Sequence, residues 1–449
     1  MQRISRRPRL APALATLPLA LAAAFAGQEA QASAFQLKEN SVQGLGKAFA
    51  GETAAPGDCA VVVNNPAAMS EFGDGNCVQA DLNVIQFETR FKGTGAYPAL
   101  TATGPDPIGG GDGGNGGVVK PVPAMFFAHR VNSDLVLGAS VYAPFGFETS
   151  YKDGWVGRYE ALKSKLESID LAFSASYRLT DSFSIGGAIY AQRTSAELTQ
   201  AIDLGTVLAG PTGGALMPGE ADGFGGLKGD DWGWGFGLGA LWKPTESDRI
   251  GFNFHSQIDH TISGDGKFLV PSNLRPLLGN AFTDSPGNAD FNTPWFANAS
   301  WWHTVNDQLS IGANIGFTHW SSFKELVVKY DNPSQPNSVS EFNWDNSWFY
   351  SIGGEYRLDD RWTLRAGLAY DETPTIDATR TPRVPDANRT WGSLGVGYKI
   401  NDQLRIDASF LHIWVDDGKV DHQTATFDTL TGKFASKGNV FSVAGQYRF

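Results

Sequence analysis

The chain has 449 residues, 42% hydrophobic, 12% aromatic and only 18% charged, with a formal net charge of −12. That acidity excludes nucleic acid as a partner, and two cysteines exclude a disulfide-dense scaffold or a four-cysteine zinc site. Fifty-three glycines with 29 Phe and 13 Trp, and no long apolar helix after the N-terminus, point to an antiparallel β protein.

The first 32 residues read as an export signal. Arg3, Arg6, Arg7 and Arg9 form a basic region, Leu10 to Gly27 is apolar, and Ala30-Gln31-Ala32 places cleavage before Ser33. The mature chain then carries a formal charge of −15. Residues 33–79 do not alternate and are punctuated by glycine. They are expected to form a periplasmic tail or a plug, here called the hatch. Residues 80–449 alternate with period 2, as strands require.

In chain order, a first strand is expected near Ala80–Phe91. A third runs from Asp134 to about Phe147 and contains Pro144, Phe145 and Gly146. Proline cannot donate to a ladder and glycine weakens one, so pairing should be interrupted there. Ile169, Leu171, Phe173, Ala175 and Tyr177 alternate with small or polar residues. From Trp232 to Trp242, Trp232, Trp234, Phe236, Leu238, Ala240 and Trp242 share one face, and four glycines with Leu241 share the other. Large apolar side chains facing out and small ones facing in suit a wall between lipid and a crowded lumen. The pattern recurs at Leu309–Thr318, Trp362–Asp371 and Leu404–Phe410. Short polar turns fall at Asn132–Asp134, Thr180–Ser182, Pro244–Asp248, Asn306–Asp307, Asp359–Asp360 and Asn401–Asp402, and the connections between them are long. One-sided loop lengths are an outer-membrane barrel signature. Twelve strands at these turns, one before and Phe434–Phe449 after, give an expectation of fourteen. Alternation ending on Phe449 resembles the signal read by the barrel-assembly machinery. A secreted sandwich or propeller leaves both the loop asymmetry and the terminal Phe unexplained.

Three segments carry a family resemblance. They are Ser33-Ala34-Phe35-Gln36-Leu37, Gly44-Leu45-Gly46-Lys47-Ala48-Phe49-Ala50-Gly51 and Asn65-Pro66-Ala67. Asp231-Trp232-Gly233-Trp234-Gly235, Trp320-Ser321-Ser322-Phe323 and Pro385-Asp386-Ala387-Asn388-Arg389-Thr390-Trp391 extend it along the mature chain. Together they resemble the FadL-type outer-membrane transporters of long-chain fatty acids and other hydrophobic compounds. The resemblance implies an all-β, fourteen-stranded barrel plugged by an N-terminal hatch. It also implies capture in a groove between two extracellular loops, an internal pocket near the N-terminus, and passive lateral release at a kinked third strand.

Site expectations follow from it. Phe35 should reach the pocket or pack against the wall. Asn65, Pro66 and Ala67 should shape the hatch. Pro144, Phe145 and Gly146 should form the lateral gate, or simply end the strand. Val207, Leu208, Leu216 and Met217 on one loop, and Phe268, Leu274, Leu277, Leu278 and Phe282 on another, are groove candidates; the last four sit at helical spacing. Basic side chains that would meet a carboxylate are replaced by Thr199 and Glu341 at the best-matching positions. Arg365 and Arg405 are lumen-facing alternatives for the ligand, although Glu355 and Asp407 stand ready to pair with them. An uncharged ligand such as an aromatic hydrocarbon is therefore a competing expectation. Cys59 and Cys77, both assigned to the hatch, are expected to form a disulfide in the oxidising periplasm.

Scattered histidines and the absence of His-Glu-x-x-His or Gly-x-Ser-x-Gly motifs argue against an enzyme, and no cofactor or metal is expected. His255 and His260 are expected on opposite faces of one strand. A general diffusion porin is the second functional class, opposed by the hatch. The wall is expected to meet outer-membrane lipid and lipopolysaccharide, and the chain to be a monomer, since no separate association element is visible.

Overall fold

The computed structural model describes residues 34–73, 75–99 and 105–449. The expected export signal and cleavage point lie outside them.

The alternating segments close into one antiparallel barrel. Its wall strands are β1 (Asn76–Ala96), β2 (Val119–Arg130), β3 (Leu135–Tyr142 and Gly146–Ser150), β4 (Lys163–Thr180), β5 (Phe183–Asp203), β6 (Asp222–Trp242) and β7 (Asp248–His255 and Ile258–Leu269). They continue as β8 (Ser285–Thr293 and Phe296–Thr304), β9 (Leu309–Thr318 and Glu325–Tyr330), β10 (Ser338–Glu341 and Ser347–Arg357), β11 (Trp362–Asp371), β12 (Arg389–Lys399), β13 (Leu404–Val415 and Gly418–Gln423) and β14 (Thr429–Arg448). The ring closes where β1 pairs with β14, from Cys77 opposite Arg448 to Ala96 opposite Thr429. Closure pairs the first and last strands with each other, as a membrane-spanning sheet requires. Each of the six expected short turns joins two wall strands at one end of the barrel. The outward face is apolar, with Trp234 73% and Ile352 64% exposed.

Inside the barrel, residues 34–72 form a buried plug with two short helices, α1 (Val42–Leu45) and α2 (Val61–Asn64), and a 3₁₀ turn (Pro66–Glu71). Ser41 caps α1 by accepting from the Gly44 amide at 2.7 Å. Asn65 is fully buried and donates to the carbonyls of Thr53 at 2.7 Å and Ala240 at 2.9 Å, joining plug to wall. The wall admits this approach because it carries glycine there. A Cβ at Gly186 would collide with the Ala67 amide, and one at Gly239 with the Asn65 side chain.

Three expectations are corrected. The first strand starts at Asn76, so residues 76–79 are wall rather than hatch. Cys77 therefore stands in β1, and its disulfide with Cys59 ties plug to wall instead of closing a loop within the plug. Finally, His255 and His260 are both buried in the lumen. One extra residue enters β7 between its two segments: β6 pairs Gly237 with His255 but Asp230 with Ser263. A one-residue bulge reverses side-chain parity.

Candidate functional site

At the long-loop end, the N-terminal arm enters an aromatic cage. Phe35 is 1% exposed, and its ring centroid lies 4.5 Å from Trp320, 5.4 Å from Trp344, 5.6 Å from Phe291 and 5.8 Å from Phe323. Trp320 reaches inward because a three-residue 3₁₀ turn, Trp320–Ser322, interrupts β9. A small cavity of about 50 Å³ remains beside the ring, lined by Phe35, Phe147, Leu166, Ile262, Phe291 and Val384 among others. Ligand pockets usually measure ~300–1,000 Å³, so this cavity is well below that size with Phe35 seated beside it.

The arm also completes a broken strand. The second segment of β3 pairs with β4 one residue out of register with the first. Only Val136–Val141 of β3 pairs with β2, so Val119–Ala124 bonds to β1 alone among the described wall strands. Pro144, Phe145 and Gly146 sit at this break. The arm occupies it: the Leu37 amide donates to the Pro144 carbonyl at 2.8 Å, and the Gly146 amide to the Phe35 carbonyl at 2.7 Å. Lys120 and Glu148 pair across the gap at 3.0 Å. A second hold comes from Asp386, whose carboxylate accepts the Ala34 amide at 2.9 Å.

Above the cage, residues 204–221 and 270–284, the two loops expected to form the groove, pack against each other. Leu208, Phe268 and Leu274 are buried together, and Val207, Leu216, Leu278 and Phe282 pack onto them. Met217 and Leu277 do not join this cluster, and Leu277 is exposed. The expected helical face is shorter than its spacing suggested. Its helix, α4 (Arg275–Leu278; α3 is Leu204–Ala209), ends at Gly279, and Phe282 lies beyond it at φ 54°. A cavity of about 490 Å³ runs beneath the groove, lined by Val207, Phe268, Phe282 and Tyr330. It shares Leu198, Leu227, Leu326, Val328 and Arg383 with the aromatic cavity.

The two ends of the plug differ chemically. Towards the short-turn end, Arg365 is enclosed and donates to Asp407 at 2.8 Å, to Glu355 at 3.3 Å and to Gln43 of the plug at 3.4 Å. Arg405 pairs with Asp407 at 3.0 Å. Neither arginine lines the groove or cage cavity; Arg365 joins wall to plug through Gln43, whereas the partner of Arg405 is Asp407 of the wall. Thr199 and Glu341 line neither cavity, and Glu341 is exposed. Arg383, which the sequence did not single out, lines both.

Between the halves, Glu39 is buried in the plug with neither carboxylate oxygen hydrogen-bonded. Loss of hydration raises its pKa to about 7. Among the described residues, no group of His, Cys, Asp and Glu is arranged to hold a metal.

Comparison with known proteins gives the family and the fold. The family model described as outer membrane protein transport protein (OMPP1/FadL/TodX) matches residues 23–449. A long-chain fatty acid transport protein of Escherichia coli is 29% identical over 88% of this chain and 90% of its own. A 47 kDa outer membrane protein of Pasteurella multocida is 31% identical over 96% and 97%. The crystal structure of a Pseudomonas aeruginosa FadL homologue superposes with a TM-score of 0.86 at 30% identity, covering 92% of this chain and 99% of that one. The Pseudomonas putida toluene transporter TodX shares the fold, with a TM-score of 0.67 at 16% identity over 90% and 97%.

Proposed function

The chain belongs to the outer-membrane transport protein family (OMPP1/FadL/TodX), and from that premise we propose that it takes up long-chain fatty acids by passive diffusion with lateral exit through its own wall. It is an outer-membrane barrel of a transport family, not an enzyme. The apolar groove captures the ligand from dilute solution. The ligand then descends past Arg383 into the aromatic cage and displaces Phe35. Displacement pulls the arm from Pro144 and Gly146, opening the unpaired stretch beside Val119–Ala124. The acyl chain leaves there into the bilayer. This route spares the tail from periplasmic water, at ~0.8 kcal/mol for each methylene kept out of it. No energy source is required beyond the ligand's own gradient.

One observation carries the reading: the wall ladder is broken beside a cavity, and the arm that fills that cavity also occupies the break. A neutral hydrocarbon is the second reading, favoured by the mostly apolar lining of the cage. A general porin needs a continuous aqueous lumen, and here the plug's buried core occupies it.

The test is uptake after closing the gap. A short bis-maleimide joining the variants Lys120→Cys and Glu148→Cys should cut oleate uptake at least roughly tenfold and leave oleate binding intact. Each single variant, treated identically, should retain uptake. Full uptake by the cross-linked protein would remove the lateral route.

A further inference from the structure

Above the apolar band, two sides of the barrel carry their outward charge differently. On β5 to β9, cations stand beside acids. Arg193 pairs with Asp230 at 3.2 Å, Lys267 with Asp284 at 2.9 Å and Lys329 with Asp290 at 3.0 Å. Lys228 stands between Glu197 and Asp265 of the adjoining strands. On β1, β13 and β14 the exposed outer ends hold Arg90, Lys92, Lys419, Lys433 and Lys437. Lys437 pairs with Glu88 at 3.4 Å and Lys433 with Asp417 at 2.6 Å. Among the described residues Arg90, Lys92 and Lys419 have no ion pair. Asp421, one outward position beyond Lys419, accepts from Thr431 at 3.1 Å.

Strand register gathers these cations. Lys92 lies opposite Lys433, and Lys433 opposite Lys419. Like charges directly across a ladder repel, and Asp417 offsets only one of the three. Their height follows from β14. Its outward positions Phe449, Tyr447, Val443 and Phe441 are apolar or aromatic. Two residues climb about 5 Å along the axis of a tilted barrel, so these positions span roughly 20 Å of an apolar band about 25 Å tall. Lys437 therefore stands at the outer edge of that band, and the lysine row about 10 Å beyond it. Beside this platform the lipid-facing wall is dented. An open trough of about 840 Å³ is lined by Ala313, Ala366 and Gly392 between Trp301 and Trp414. Trp414 is the register partner of Lys437, so trough and platform are continuous.

We propose that the outer ends of β1, β13 and β14 form a docking platform for lipopolysaccharide, whose phosphates bridge Arg90, Lys92 and Lys419 and whose acyl chains lie in the trough. Phosphate between like-charged strands replaces repulsion with charge-assisted hydrogen bonds. A soluble anion uses the cations alone; a phosphorylated glycolipid of the outer leaflet uses both the cations and the apolar surface beneath them. The long stems of lysine lie along apolar surface while their ammonium groups reach the headgroup. This surface is independent of what the lumen carries.

The test is binding of fluorescent rough-type lipopolysaccharide to the full-length protein in non-ionic detergent at low salt. Wild type should bind it, and the dephosphorylated glycolipid should compete poorly. The triple variant Arg90→Gln, Lys92→Gln, Lys419→Gln should weaken binding roughly 100-fold, as three cations at an anionic surface imply. Arg193→Gln, Lys267→Gln, Lys329→Gln on the other side should leave it unchanged. Heat-modifiable gel mobility checks that each barrel has folded, and Lys419→Gln alone should show a partial loss if the triple variant does not fold. Absence of binding to wild type would overturn the platform, as would full affinity in the folded triple variant or equal losses in both triples. Equal competition by the dephosphorylated glycolipid, or displacement of the probe by inorganic phosphate alone, would also overturn it.

Discussion

The two ends of the plug meet the wall by opposite means. At the short-turn end the contact is ionic and covalent: Arg365 bridges Asp407, Glu355 and plug residue Gln43, and Cys59 is bonded to Cys77 of β1. At the long-loop end the arm is held by aromatic contact, two backbone hydrogen bonds to a broken strand and one from the Ala34 amide to Asp386, with no ion pair of its own at those contacts. Buried charges fix a geometry, because pulling one partner away strands the other. Apolar contact is non-directional, so the proposed exchange of Phe35 for an acyl chain would retain it. On the proposed route the lower plug is a permanent seal and the upper arm a replaceable stopper.

The largest way to break this contrast is Arg365→Met. It leaves Glu355 without that ion pair and Asp407 with Arg405 alone. The lower plug should lose about 3–5 kcal/mol of seating, seen in planar bilayers as an ion leak that wild type does not show.

Next comes pH. Glu39 is held near 7 by burial, above the ordinary carboxyl value of 4.5. Below 4.5 both seated and unfolded plugs are protonated, and nothing is lost. Between about 4.5 and 7 the unfolded form ionises while the seated form keeps its proton, so plug stability falls as pH rises. The total loss is about 3 kcal/mol. Glu39→Gln should flatten this dependence in denaturant titrations of plug protection at pH 4.5 and 7.5.

The smallest effect is Asn65→Ala, which removes bonds to Thr53, Ala240 and Ala67. It should cost about 1–3 kcal/mol, measured as faster proteolysis within residues 60–70.

The barrel was legible because two solvents impose period 2 on every strand, and short turns select Asn and Asp. What stayed hidden involves chain that does not follow that period. The bulge beside Ser256 turned His260 inward, and no residue type marks a single insertion. The wall–plug boundary at Asn76 was hidden because Cys77, Gln79, Asp81 and Asn83 face a polar plug, so β1 begins with plug-like inner residues. Pro144 and Gly146 did mark the broken strand, since backbone chemistry shows in composition. Trp320 and Asp386 lay in the quoted motifs, but which partners they hold depends on inward folding of chain that reads as loop. Arg383 was missed for the same reason: Thr381-Pro382-Arg383-Val384-Pro385 reads as an exposed connector.

The most direct test of seal against stopper is hydrogen–deuterium exchange of the detergent-purified protein with and without oleate. The account predicts faster exchange at the amides of Leu37 and Gly146 on ligand addition, with residues 42–49 and 60–68 unchanged. Unchanged exchange at Leu37 and Gly146, or deprotection spreading through the lower plug, would contradict it.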